Sequence, residues 1–173
     1  RILEVRWVVT NKDTEPMYFS IGGHPAFRCP LKKGELQTDY YLGFEMEGRG
    51  NPKYHSLSRR GLYESKEQEL PLEHGLYRLR RDTFKQDTMI FEKQTTRIRL
   101  MRPDKRPYVT LTCAAPVFGV WSPPEKQAPF ICIEPWYGRC DNEGFSGDLR
   151  EKEWIQRLEP NEVFEAAYFI EFS

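Results

Sequence analysis

Apolar and polar residues alternate along much of this chain, and a two-residue period suits strands that bury one face. In Leu3-Glu4-Val5-Arg6-Trp7-Val8-Val9-Thr10 the odd positions are large and apolar and the even ones mostly polar, so this stretch is a half-buried strand. Asn11-Lys12-Asp13 supplies a turn, and Met17–Ile21 a second strand. Further strands are expected at Tyr40–Met46, Thr88–Glu92, Arg97–Leu100, Tyr108–Cys113, Val117–Trp121, Phe130–Ile133 and Val163–Phe172. Pro, Gly and Asn punctuate them, the pattern of a large antiparallel β-sandwich, all-β in class. Helix signals are confined to Leu149–Trp154, a turn or two before Pro160, and Gly48–Gly75 reads as polar loops with short edge strands.

Composition narrows the partners. Of the 173 residues 39% are hydrophobic and 30% charged, an ordinary globular balance long enough for one core. The 26 basic and 26 acidic residues cancel, so neither nucleic acid nor an anionic membrane is expected as a partner. There is no apolar run of membrane-spanning length and no signal-peptide pattern. Cys29, Cys113, Cys132 and Cys140 have neither close pairing nor zinc-finger spacing, and we read them as reduced thiols of a cytoplasmic protein.

Three stretches carry residues fit for chemistry. In Gly22-Gly23-His24-Pro25-Ala26-Phe27 a strand breaks into a loop at a histidine. The glycines permit unusual backbone angles and close ligand approach, and Pro25 restricts His24 to extended geometry. Imidazole suits proton transfer near neutral pH, although a structural histidine bonded to a loop carbonyl fits the same residues. In Phe130-Ile131-Cys132-Ile133-Glu134-Pro135-Trp136, alternation places Glu134 on one face with Phe130, Cys132 and Trp136. Such a carboxylate is costly unless bonded or used, and partial desolvation raises its pKa towards a useful range. Trp136 offers a flat face for the C–H side of a pyranose, and the plain alternative pairs Glu134 with Arg139. Asp87, ahead of an apolar strand, suits either sugar hydroxyls or an ordinary turn. Arg28 is placed to reach a ligand or to sit on the surface. His55 and His74 lie in polar sequence and read as solvated. No P-loop, Rossmann or G-x-S-x-G pattern is present, so we expect no cofactor or metal and a proton transfer on a neutral polar substrate.

These residues resemble the aldose 1-epimerase (galactose mutarotase-like) family, in its LacX-like branch. The similarity rests on Ser20–Phe27, Asp87–Phe91, Phe130–Asp141 and the closing Glu151-Lys152 and Leu158–Glu162, in the family's order across nearly the whole chain. It implies Glu134 as general base and His24 as general acid in interconverting sugar anomers, with Asp87 contacting hydroxyls and a sugar or sugar phosphate as the small-molecule partner. Both side chains should then converge on one cleft, at ring-spanning distance. Alternatives are a hexose-6-phosphate 1-epimerase, a non-catalytic carbohydrate-binding or sensing sandwich, and a structural domain in which the pair never meets. The family has a longer N-terminal portion, and the start at Arg1 within an alternating run reads as a cut through a longer polypeptide. Residues 1–173 are therefore expected to be the C-terminal part of one such sandwich. Exposed strand edges should follow, open to the remaining N-terminal portion or to a second copy.

Overall fold

The computed structural model describes residues 1–46, 50–124 and 128–173; residues 48 and 49 of the expected loop region lie outside them. The strands are β1 (Ile2–Thr10), β2 (Met17–Phe19), β3 (Ile21–Gly22), β4 (Ala26–Arg28), β5 (Tyr41–Met46), β6 (Lys53–Tyr54), β7 (Gln68–Glu69) and β8 (Leu76–Arg78). They continue as β9 (Met89–Glu92), β10 (Thr95–Met101), β11 (Pro107–Cys113), β12 (Val117–Trp121), β13 (Phe130–Tyr137), β14 (Gln156–Leu158) and β15 (Val163–Phe172). Among the described residues the only helical segments are single 3-10 turns at Gln37–Asp39 and Leu149–Glu151. None is long and apolar enough to cross a membrane.

Two antiparallel sheets dominate. One has six strands in the order β1-β15-β11-β10-β5-β8; the other runs β3-β13-β12-β9, with β4 also paired to β13. Their facing sides enclose the core. The six-stranded sheet contributes Leu42, Phe44, Ile98, Leu100, Val109, Leu111 and Ile170, and the second sheet Phe27, Phe91, Phe118, Val120, Ile131 and Ile133. The alternation read from the sequence accounts for this partition, since each of these residues shares its parity with the others of its strand. Trp7 and Val5, at odd positions of β1, also pack on this core, with the Trp7 ring 5.2 Å from that of Tyr168.

On β12 and β13 the remaining positions point away from the core. Val117, Gly119 and Trp121 alternate with Phe118 and Val120, while Cys132, Glu134 and Trp136 alternate with Ile131, Ile133 and Pro135. A second, small apolar cluster of Tyr63, Ile90 and Val117 covers part of this outer face, with Trp136 and Trp154 packed against it. The rest of the face remains open, and the functional candidates lie there.

Sequence and structure differ in places for identifiable reasons. β13 runs on to Tyr137, past Pro135, because the N–H that proline lacks would have faced Gly23 on the interrupted β3–β4 edge and not β12. The expected helix at Leu149–Trp154 is a single 3-10 turn: Asp148 caps it, accepting a bond from Arg150 N–H, and Trp154 takes a positive φ of 62° that turns the chain. β1 lies at the edge of its sheet, paired to β15 alone, and Ile2, Leu3 and Val8 on it are exposed.

This partition can be tested by truncation. Leu111→Ala, at a fully buried position, should lower unfolding free energy in urea by about 2–5 kcal/mol. Val8→Ala, on the exposed side of β1, should change it by no more than about 0.5 kcal/mol. Equal losses at the two sites would contradict the assignment of the core.

Candidate active site

The site is built on one interrupted strand pair. Gly22 is opposite Trp136, and Ala26 opposite Cys132, on the same register along β13. Continuing that register through the gap places His24 directly across from Glu134. Backbone bonds on either side hold it there: Gly23 N–H donates to Pro135 O at 3.0 Å, and Ile133 N–H donates to Pro25 O at 3.3 Å. Each of these positions would carry a reciprocal bond in a regular antiparallel ladder, but Pro25 and Pro135 have no N–H to give. The ladder is thinned on both sides of His24, which is why β3 and β4 are separate strands. His24 and Glu134 form the non-hydrogen-bonded pair between them, the position at which opposing side chains approach most closely.

The two side chains meet. His24 Nδ1 lies 3.3 Å from Glu134 Oε1, with the imidazole 63% exposed and the carboxylate 5% exposed. The expected acid and base are therefore in direct contact and not separated by the width of a ring. On the other side of Glu134 the β12 partner is Gly119, and this glycine makes room for an indole. A Cβ there would come within 2.6 Å of Trp136 Cζ2. Trp136 thus lies over Gly119 and donates its Nε1–H to Glu134 Oε2 at 3.2 Å. The Trp121 ring meets the His24 ring edge-on, 5.9 Å between centroids.

Gly22 and Gly23 serve space and not unusual backbone angles. Neither has a positive φ; a Cβ on Gly22 would meet Trp136 Cδ1 at 2.8 Å, and one on Gly23 the Tyr168 ring at 2.9 Å. Burial pushes the Glu134 carboxyl up to about 7; the Trp136 hydrogen bond opposes the rise and the negative charge of Asp87 adds to it. Burial, with Glu134 nearby, likewise pushes the Cys132 thiol up to about 12.

His24, Glu134 and Trp136 line a cleft of about 330 Å³ together with Ser20, Arg139 and Lys152. The other two sequence candidates lie elsewhere. Asp87 adopts φ 67° and turns its Oδ1 onto Thr88 N–H and Oγ1 at 2.8 and 3.0 Å, the behaviour of a turn former. It lines a neighbouring hollow with Ser56, Gln68 and Gln86, and reaches Glu134 through its field alone. Arg28 is exposed on β4 opposite Phe130 and is not among the residues lining the cleft.

Arg139 does not neutralise Glu134. Its Nε bonds Glu92 Oε1 at 2.6 Å, and its guanidinium lies 3.6 Å from the Tyr63 ring centroid. Lys152 pairs with Asp141 at 2.8 Å. Ser20 and Lys152 also line the cleft; Ser20 opens the same stretch as His24, whereas Lys152 reaches it only through the packing of a distant segment. His55 is half-buried and not solvated: it stacks on Tyr63 at 4.7 Å and its Nδ1 meets Glu64 O at 3.0 Å. His74 is exposed, in a turn with φ 51°.

The antiparallel sandwich is similar to solved structures of galactose mutarotase-like proteins. A galactose mutarotase related enzyme from Lactobacillus acidophilus superposes over 99% of this chain and 57% of its own, at TM-score 0.85 and 30% identity. A galactose mutarotase-like protein from Lactobacillus casei ATCC 334 does so over 98% and 58%, at TM-score 0.83 and 26% identity. The chain is also similar to LacX: it is 30% identical over 182 residues to the plasmid and chromosomal LacX proteins of Lactococcus lactis subsp. lactis. That match takes in 97% of this chain and 57% of LacX, so the chain spans little more than half the length of these relatives. No protein-family model matches it.

The packing of Trp136 on Gly119 makes a direct prediction. Gly119→Ala should displace the indole, costing about 1–3 kcal/mol in unfolding free energy and changing tryptophan emission. In a Trp136→Phe background the same substitution should leave emission unchanged. An emission change that persists in that background would place the disturbance elsewhere.

Proposed function

We propose that the protein is an isomerase of the aldose 1-epimerase kind, interconverting the α and β anomers of an aldohexose. The observation that carries this reading is the contact of His24 with the buried carboxyl of Glu134 on an open cleft. Glu134 accepts the proton of the anomeric hydroxyl while His24 gives one to the ring oxygen. The bond between C1 and the ring oxygen breaks, leaving the open-chain aldehyde. After rotation about C1–C2, the C5 hydroxyl attacks the other face of the carbonyl. His24 takes back its proton from that hydroxyl, and Glu134 returns its own to the new anomeric oxygen. Protons and charge balance over the cycle, with no other reactant.

The short separation of acid and base suits this chemistry. Both reacting oxygens are bonded to C1, so donor and acceptor need to flank one carbon and not a whole ring. His24, the more exposed partner, has room to move aside as the sugar enters. A carboxyl held near neutrality both takes and returns a proton readily. Trp136 lines the cleft and offers an apolar surface to the sugar's C–H groups.

A neutral sugar fits better than a sugar phosphate. The two cations of the cleft wall, Arg139 and Lys152, are already engaged by Glu92 and Asp141, and Arg28 lies off the cleft. The activity is proposed for the whole protein, since the relatives are longer than this chain.

The test is the relaxation of freshly dissolved α-glucose and α-galactose, followed by polarimetry or NMR. The protein should accelerate it, and His24→Ala and Glu134→Gln should each reduce the catalysed rate by about 10²–10⁴-fold. Sugar binding without acceleration would favour a non-catalytic binding sandwich. Activity unaffected by both substitutions would show that the pair is wrongly assigned.

A further inference from the structure

Cys132 has no part in the proposed proton transfers, yet it stands beside them. One ligating atom each from His24, Cys132 and Glu134 lies within 4.8 Å of the other two. Cys132 and Glu134 are two residues apart on the outer face of β13, and His24 comes from the facing segment between β3 and β4. We propose that these three side chains form a binding site for a thiophilic divalent cation, best fitted by Zn²⁺, and that the ion and the sugar exclude one another.

Metal geometry supports the assignment. With zinc bonds of about 2.0–2.1 Å to N and O and about 2.3 Å to S, tetrahedral ligand atoms lie about 3.3–3.6 Å apart. His24 Nδ1 and Glu134 Oε1 are already 3.3 Å apart. The Cys132 Sγ lies within 4.8 Å of a ligating atom of both residues, so side-chain rotation of about an ångström completes the set. Trp136 holds the other carboxylate oxygen, leaving Oε1 turned to the site and fixing its direction as an outer-shell donor does. The mixed N, S and O set selects zinc over magnesium or calcium, which take oxygen alone. Three protein ligands leave a fourth position open to water on the cleft side. Binding displaces the Cys132 thiol proton to solvent, and the thiolate completes the set. A bound ion occupies both the acid and the base, and so blocks turnover.

The binding test is independent of the epimerase reading; the inhibition test rests on it. Titrating the purified protein with Zn²⁺ by calorimetry should give one ion per chain, and Co²⁺ should produce a thiolate charge-transfer band in the near ultraviolet. Cys132→Ser should abolish that band and weaken zinc binding at least about tenfold, as should His24→Ala for affinity. Cys140→Ser, which removes the more accessible of the other free thiols, should change neither. Zinc should inhibit mutarotation reversibly, with a chelator restoring it and Cys132→Ser needing at least about tenfold more metal. Absence of stoichiometric zinc binding, or a cobalt band that survives Cys132→Ser, would overturn the site. A band lost in Cys132→Ser from a protein without epimerase activity would uphold the site and reject the proposed function.

Discussion

Everything at the site depends on the pairing of Gly22–Arg28 with β13 in a single register. His24 and Glu134 are far apart in sequence, and only this register sets them opposite each other. A slip of this segment by one residue would turn His24 to the core side, while Glu134, held by the pairing of β13 with β12, stayed on the outer face. Two ladder bonds, Gly23 to Pro135 and Ile133 to Pro25, hold the register, and two prolines suppress their reciprocals. The site is thus fixed by backbone geometry while the local sheet is kept thin, which leaves the edge accessible to a ligand.

β13 serves the core and the cleft at once. Ile131 and Ile133 point inward and are fully buried, anchoring the strand through apolar contact with the six-stranded sheet. The alternate positions carry Cys132, Glu134 and Trp136 outward. Desolvation of Glu134 comes from this packing, with Trp136 laid across Gly119 on one side and His24 on the other. An unpaired buried carboxylate would be costly, and the structure moderates the cost with one indole hydrogen bond and the contact with His24, without a lysine or arginine partner. Arg139, a few residues along the same motif, is committed to Glu92. That division keeps the carboxyl near neutrality; a guanidinium beside Glu134 would have held it ionised.

Much of the fold was legible because period-two patterning survives wherever one face of a strand is buried. Val117–Trp121 and Val163–Phe172 match their strands end to end. The short strands β8 and β14 escaped notice, and β6 and β7 were foreseen only as unplaced short strands within Gly48–Gly75, since two or three residues cannot display a period and are held by their partners. Pro135 hid the end of β13, because proline in a strand ordinarily marks an edge or a break. At the site, His24 and Glu134 were readable from residue chemistry and from motif resemblance together. Asp87 and Arg28 were not separable from ordinary turn and surface residues, and the structure places both outside the cleft. The closeness of Cys132 to His24 had no sequence signature, being a product of register.

In the proposed mechanism His24 and Glu134 act as one unit on one carbon. The most direct measurement compares catalysed mutarotation in His24→Ala, Glu134→Gln and the double variant. Residues that act together lose their shared contribution once, so the double variant should be no slower than the slower single within about twofold. Losses that multiply in the double variant would contradict the account and show two independent contributions.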